Sequence, residues 1–156
     1  MPPRKKKKRT VIGRSDRIDL PEFGLFDVEC KVDTGADTSA IHCSNLRIIE
    51  KDGVLTLSFK LLDPEHPSYI GKHIKVKDFA ERSVRSSTGH TESRFVIKTT
   101  GVLFGIEHPI EFTLSDRDTM KFPILLGRKL LKKGFLVDVN KRDISFKRKT
   151  NGTEGT

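Results

Sequence analysis

The stretch Lys31-Val32-Asp33-Thr34-Gly35-Ala36-Asp37-Thr38-Ser39-Ala40 is the most informative part of this chain. An alternating apolar run, residues 25–32, leads directly into Asp-Thr-Gly, so the pattern predicts a strand that ends in a tight turn. The Asp33 carboxylate would emerge at the strand end, where the N–H of Gly35 can donate to it. The stretch predicts one carboxylate placed for chemistry; an ordinary Asp-Gly turn is the alternative.

A second motif, Ile124-Leu125-Leu126-Gly127-Arg128, follows about 90 residues later. Its apolar run predicts a buried strand, and the segment from Arg128 to Lys133 predicts a short helix that Gly134 ends. The two motifs together favour a functional site over an isolated turn.

The chain has 156 residues, a natural size for one domain, with 35% hydrophobic and 33% charged residues. We expect a basic disordered tail at residues 1–9, a folded domain at residues 10–148 and a second disordered tail at residues 149–156. No apolar run approaches the roughly 18 residues of a membrane span, and no apolar segment follows the first charges as in a secretory signal. The expected location is the cytoplasm, without membrane association.

The formal charge of +9 is uneven, because residues 1–9 contribute six positive charges and no acid. A short basic tail is most often a solvated segment, and attraction to nucleic acid or to a polyanionic substrate is the alternative. We expect no nucleic-acid partner, since no zinc finger or aromatic interleaving accompanies the tail.

Many short alternating segments and one short helix predict an all-β fold, a small closed barrel or a sandwich. The last segments, residues 135–139 and 143–146, are predicted to close the domain as a hairpin. Cys30 and Cys43 flank the Asp33 turn and are expected to be free, buried thiols.

With these motifs in this order, the chain resembles the retropepsin-like aspartic peptidases, the clan of the retroviral proteases. The resemblance implies a small closed retropepsin-like barrel with one short C-terminal helix. Such enzymes use two carboxylates that share one proton. Because Asp-Thr-Gly occurs once here, the second carboxylate must come from a second copy, which predicts a homodimer.

The resemblance also implies residue roles. Asp33, Thr34 and Gly35 form the catalytic turn. The apolar-apolar-Gly segment ending at Gly127 packs beneath it, and the Arg128 guanidinium pairs with Asp37 as a planar fork that braces the loop.

More narrowly, the chain is similar to a bacterial branch named ATP-dependent zinc protease, over roughly residues 10–147. The matching motifs are residues 31–42, 84–94 and 123–131. Neither a phosphate-binding Gly-Lys-Ser/Thr loop nor a zinc-spaced His or Cys pair is present in the sequence, so we expect no cofactor and no metal.

The segment from Arg82 to Arg94 is the candidate flap over the cleft, and an ordinary exposed hairpin is its alternative. Its arginines favour acidic peptides as substrates. The resemblance adds a functional link to the ligase that attaches glutamate tails to a ribosomal protein. The candidate substrate-binding residues are Ala36, Arg85, Ser86, Ser87, Gly89 and Glu92.

The function predicted from the sequence is an aspartic endopeptidase-like hydrolase that acts on peptides or proteins, including glutamate-rich ones. The first alternative is a non-catalytic module on the same fold that binds acidic peptides or a ribosomal protein. A metallopeptidase is the second.

Overall fold

Strands make up most of the protein in the computed structural model, which describes residues 8–85, 89–116 and 121–151. The strands are β1 (Thr10–Ile12), β2 (Ser15–Leu20), β3 (Leu25–Val32), β4 (Ser39–Lys51), β5 (Val54–Leu61), β6 (His73–Val76), β7 (Phe79–Arg85), β8 (Thr91–Leu103), β9 (Ile106–Ser115), β10 (Ile124–Leu126) and β11 (Phe135–Val137). The helices are α1 (Arg128–Leu131) and α2 (Ile144–Asn151). Neither helix has the length and apolar character needed to cross a membrane.

Six strands form a ring in the order β10, β3, β2, β8, β9 and β4, and β10 pairs with β4 to complete it. The ring is not evenly paired, because β2 and β8 meet at a single residue pair, Asp19 with Val102. Strands β5 and β6 extend the sheet from β4, and β7 pairs with β8 outside the ring. The all-β prediction is confirmed, with a partly paired ring in place of a regular barrel.

The hydrophobic core is built from the strands of the ring together with β5 and β6. In strand β3, the buried Val28, Cys30 and Val32 alternate with exposed residues, while two residues separate Val28 from the buried Leu25. Its observed bounds are those expected from the apolar alternation. Cys30 and Cys43 are free and buried, as predicted, and burial raises the pKa of the Cys43 thiol to about 12.

The C-terminal segment differs from the prediction. Residues 143–146 were expected to form a strand in a closing hairpin, but residues 144–151 form helix α2, and β11 pairs in parallel with β1 instead. Helix α2 includes residues 149–151, which the sequence analysis placed in the C-terminal tail.

Asp16 explains why a helix begins here. Its side chain is buried in β2 and accepts hydrogen bonds from the backbone N–H groups of Ser145 (2.9 Å) and Phe146 (3.1 Å). The carboxylate caps the first turn of α2, where free N–H groups and the helix dipole favour a negative charge. This cap comes from a residue about 130 positions away in sequence, so local pattern gives no sign of it.

Replacing Asp16 with Ala is expected to lower the free energy of unfolding by about 2 kcal/mol, because two N–H groups of α2 lose their acceptor. Urea unfolding followed by circular dichroism measures this loss. The exposed turn variant Asp52→Asn is the control, and equal stability of the two variants would contradict the assigned cap.

Candidate active site

Asp33 lies immediately after β3 and is fixed by backbone hydrogen bonds on two sides. The N–H of Val32 donates to the Arg14 carbonyl (2.9 Å), and the N–H of Asp33 donates to the Leu126 carbonyl (2.9 Å). Leu126 belongs to β10, which runs parallel to β3 with Leu126 opposite Val32. The position of the carboxylate is therefore set by strand pairing, and not by the turn alone.

The turn holds the carboxylate at the surface. The N–H of Gly35 donates to Oδ1 of Asp33 (3.1 Å), the N–H of Ala36 donates to the Asp33 carbonyl (3.2 Å), and Asp33 is half-buried. The φ of Gly35 lies outside the left-handed region, and a Cβ at this position would make only ordinary contact, at 3.4 Å, with Oδ1 of Asp33. The contribution of Gly35 to the turn is the hydrogen bond that its N–H donates.

The second motif packs against the same loop from below. Gly127 is buried, its N–H donates to the Ser39 hydroxyl (3.0 Å), and a Cβ here would lie 2.7 Å from the carbonyl carbon of Thr38. The N–H groups of Arg128 and Lys129 then donate to the carbonyls of Ala36 (2.8 Å) and Asp37 (3.0 Å). Only glycine permits this approach, and three consecutive N–H groups bind the loop.

The Arg128 side chain also contacts the loop, with a geometry different from the expected fork. Nη1 donates to the Thr34 carbonyl (3.0 Å), and Nη2 lies 3.9 Å from Oδ1 of Asp37. Both side chains of this ion pair are more than half exposed, so the pair itself stabilises the protein little. The hydrogen bond to Thr34 is the closer restraint on the turn.

A cleft of about 680 Å³ lies between the loop and the β7–β8 hairpin. The loop contributes residues 35–38, β7 contributes residues 82–84, and Arg94, Arg128 and Lys129 complete the charged part of the wall. The candidate flap thus consists of the paired antiparallel strands β7 and β8, with Arg82 opposite Arg94. Residues of both strands line the same cleft as the Asp-Thr-Gly turn. Asp33 itself lies beside the cleft, outside its lining.

One carboxylate connects the hairpin to helix α1. Glu111 accepts two hydrogen bonds from Arg82 (2.9 and 3.0 Å) and one from Lys129 (3.3 Å). The two cations, Arg82 first, lower the pKa of Glu111 to about 2. Because the folded pKa is lowered, this contribution to stability is present above the usual glutamate pKa and is lost as the pH falls towards 2.

The structure brings together only part of the predicted site. Asp33, Thr34, Gly35, Ala36, Asp37, Gly127 and Arg128 form one cluster of loop and strand contacts. Gly89 and Glu92 are exposed near the start of β8, outside the cleft lining, and Glu92 lies 3.3 Å from Arg94. Ser86, Ser87 and the Arg85 side chain lie outside the described part of the chain.

Sequence reasoning missed three residues of the site: Ser39, Glu111 and Lys129. Ser39 stands in the first motif, so its hydroxyl could have been considered as an acceptor for Gly127. No local signal marks Glu111, because its partners lie 29 residues before it and 18 after it.

The histidines do not gather into a site. No group of three or more His, Cys, Asp or Glu side chains suited to a metal ion occurs in residues 8–85, 89–116 and 121–151. His42 is buried, and within those residues its Nε2 has no hydrogen-bond partner.

Comparison with known proteins places this geometry in a family. The sequence profile of the RimB-like family, described as retropepsin-like aspartic endopeptidase RimB, matches residues 11–148. A probable alpha-L-glutamate ligase of Desulfotalea psychrophila is 34% identical over 134 residues, 83% of this chain. A protein of the same name from Shewanella pealeana is 34% identical over 128 residues, 82% of this chain. The chain spans only 28% of the length of these relatives.

A crystal structure of a Legionella pneumophila protein of unknown function has a similar fold. The TM-score is 0.68 at 21% identity, covering 86% of this chain and 97% of that one. At this identity the likeness concerns the fold. The family profile, which covers nearly the whole chain, matches the Asp33 turn and the Gly127 motif that packs beneath it. The chain belongs to the RimB-like family of retropepsin-like aspartic endopeptidases.

Proposed function

We propose that the chain is one half of an aspartic endopeptidase, with Asp33 as its catalytic carboxylate. The observation that carries this proposal is the fixed, half-exposed Asp33 carboxylate at the end of β3, next to a cleft that β7 and β8 help to line. A binding module would not need an ionisable acid held in this way. Thr34 and Gly35 shape the turn, and Gly127 and Arg128 support it.

The second acid would come from a second copy of the chain. Asp-Thr-Gly occurs once in the sequence, and a two-fold axis beside the turn would bring two Asp33 side chains together. At about 3 Å, two carboxylates cannot both ionise, so they share one proton. The pair then contains one acid and one base, and the reaction needs neither a metal nor a nucleotide.

Hydrolysis would proceed through a water held between the two carboxyl groups. The ionised Asp33 removes a proton from the water as its oxygen attacks the peptide carbonyl, and the protonated partner gives its proton to the carbonyl oxygen. In the tetrahedral intermediate, a carboxyl proton passes to the leaving nitrogen and the C–N bond breaks. A proton returning from a hydroxyl of the intermediate to a carboxylate leaves the pair singly protonated again.

The charge of the cleft supports acidic substrates. In the described part of the chain, its wall carries Arg82, Arg94, Arg128 and Lys129 against a single acid, Asp37. The curated relatives that share this region are named as probable alpha-L-glutamate ligases. We therefore propose that the substrates are glutamate-rich peptides or protein tails, in a functional link to glutamate ligation.

Replacing Asp33 with Asn is expected to reduce peptide hydrolysis by about 1,000-fold or more, because the amide cannot exchange the shared proton. The fold should persist, since Asn keeps an oxygen that can accept from the Gly35 N–H. Incubation with glutamate-containing peptides and mass analysis of the products measures the effect, with thermal unfolding as the check on the fold.

The matched control is Asp52→Asn, in an exposed hairpin turn whose positive φ of 54° suits Asn. Cleavage that persists in Asp33→Asn would refute the mechanism. Peptide binding by a wild-type protein that cleaves nothing would favour the binding module, and activity lost to a chelator and restored by zinc would favour a metallopeptidase.

Replacing Arg128 with Lys is expected to lower kcat by roughly tenfold while stability changes little. The single ammonium group cannot reach the Thr34 carbonyl and Asp37 together, so the catalytic turn loses a restraint. Steady-state kinetics and thermal unfolding separate the two effects. Arg47→Lys, on an exposed position of β4, is the control, and a kcat equal to that of this control would count against the assigned support.

Mixing wild type with a threefold excess of Asp33→Asn is expected to lower activity per wild-type protomer to about one quarter once subunits exchange. Mixed dimers have one ionisable acid and should not turn over. The activity is followed from the moment of mixing, so the first reading serves as the control. Constant activity after complete exchange, verified by mass-tagged subunits, would rule out a shared site.

A further inference from the structure

The active-site cleft is the first of three concavities that follow one another across the protein. The second, of about 420 Å³, is lined by Lys98, Lys129, Lys132 and Lys133, with Glu111 as its acid. The third, of about 590 Å³, is lined by Lys72, Lys75, Lys77 and Lys98, with Glu22 and Asp78 as its acids. The three concavities are separate depressions of the surface, and each has its own set of lining residues.

Shared residues make the three continuous. Lys129 lines both the active-site cleft and the second concavity, and Lys98 lines both the second and the third. Glu111 lies near both of these shared residues. It accepts a hydrogen bond from Lys129 and is the cross-strand partner of Lys98. We call this continuous surface the basic track.

Outside the N-terminal segment of residues 1–9, the positive charge of the protein is concentrated on this track. Among the residues that the structure describes, ten Lys or Arg side chains line it against four acids. Outside the nine-residue N-terminal segment the chain has 24 Lys or Arg and 21 Asp or Glu, so the remainder carries more acids than bases. The track is therefore a local feature and not a reflection of a uniformly basic chain.

Most lysines beyond the active-site cleft are available to a ligand. Lys72, Lys75, Lys77, Lys98 and Lys132 are exposed and have neither an ion pair nor a side-chain hydrogen bond within the described ranges. Arg82 and Lys129, by contrast, are held by Glu111. Unpaired ammonium groups side by side repel one another, and a polyanion removes that repulsion.

We propose that the basic track is an extended docking surface for an acidic polypeptide, which lies across Lys98 and Lys132 and reaches Lys72, Lys75 and Lys77 on and beside β6. This inference rests on the proposed function, which supplies the peptide in the cleft. It adds that recognition extends far beyond the cleaved bond. Long acidic chains then bind more tightly than short ones.

Peptide is favoured over nucleic acid by the side chains that line the track. Single strands of nucleic acid are bound on exposed aromatic rings as well as on cations. Among the described residues of the lining, the only aromatic ring of Phe, Tyr or Trp is that of Phe23, which is 6% exposed and cannot stack on a base. Lysine is suited to scattered carboxylates, because its ammonium group is a compact charge on a long stem.

The test measures binding without cleavage, in the Asp33→Asn background, by fluorescence anisotropy of labelled glutamate peptides. An extended peptide spans at most about 3.5 Å per residue, so peptides of about 4 and about 12 residues compare one concavity with the whole track. The longer peptide is expected to bind more tightly. The triple variant Lys72→Glu, Lys75→Glu, Lys77→Glu is expected to weaken its binding by roughly tenfold at low salt, with a smaller loss for the short peptide.

The matched control reverses the charge of three exposed lysines outside the track, in the triple variant Lys51→Glu, Lys141→Glu, Lys147→Glu. An equal loss of peptide affinity in the control variant would show only general electrostatic attraction and would contradict the proposal. Equal affinity for the short and the long peptide would also contradict an extended docking surface. Tighter binding of an RNA oligonucleotide, lost in the track variant, would overturn the choice of peptide. Because binding is measured without turnover, failure of the peptidase proposal gives a different result: normal track binding but no cleavage by the wild type.

Discussion

The insertion of β10 between β3 and β4 is the constraint on which the site depends. This short strand pairs with β3 in the parallel direction and with β4 in the antiparallel direction. Strands β3 and β4 are the two strands on either side of the Asp33 turn. The Leu126 carbonyl holds the N–H of Asp33, and Gly127 then touches the backbone of Thr38. The turn is enclosed by its own flanking strands and by a segment from the far end of the chain, so forming the site requires closing the ring.

This dependence explains why two motifs far apart in the sequence belong to one candidate site. The two motifs are informative for different reasons: the N–H of Gly35 donates to the Asp33 carboxylate, and Gly127 permits contact between two backbones. Strand β3 could be predicted to the residue, since its pattern of apolar positions ends at the turn. The fold class followed from many such short segments and was confirmed by the structure and by the family profile.

What the sequence could not predict depends on pairs of distant residues. Residues 143–146 have a strand-like pattern, but a buried carboxylate in β2 caps them as a helix, and tertiary contact overrides local preference. The expected fork between Arg128 and Asp37 depended on the rotamers of two exposed side chains, and the guanidinium donates to a backbone carbonyl instead. Glu111 was missed for the same reason, since its importance lies in cations from two other elements.

Glu111 also shows how the site can be strongly basic and still be ordered. Arg82 and Lys129 would repel each other across the cleft, and one carboxylate with a pKa of about 2 stays ionised over the pH range in which carboxylic acids usually titrate. It therefore joins the hairpin to α1 even under acidic conditions. The two neutralised cations are structural, while the unpaired lysines farther along are the ones that we propose attract an acidic ligand. In that proposal the basic residues form two groups, one that holds the hairpin and α1 in place and one that recognises the ligand.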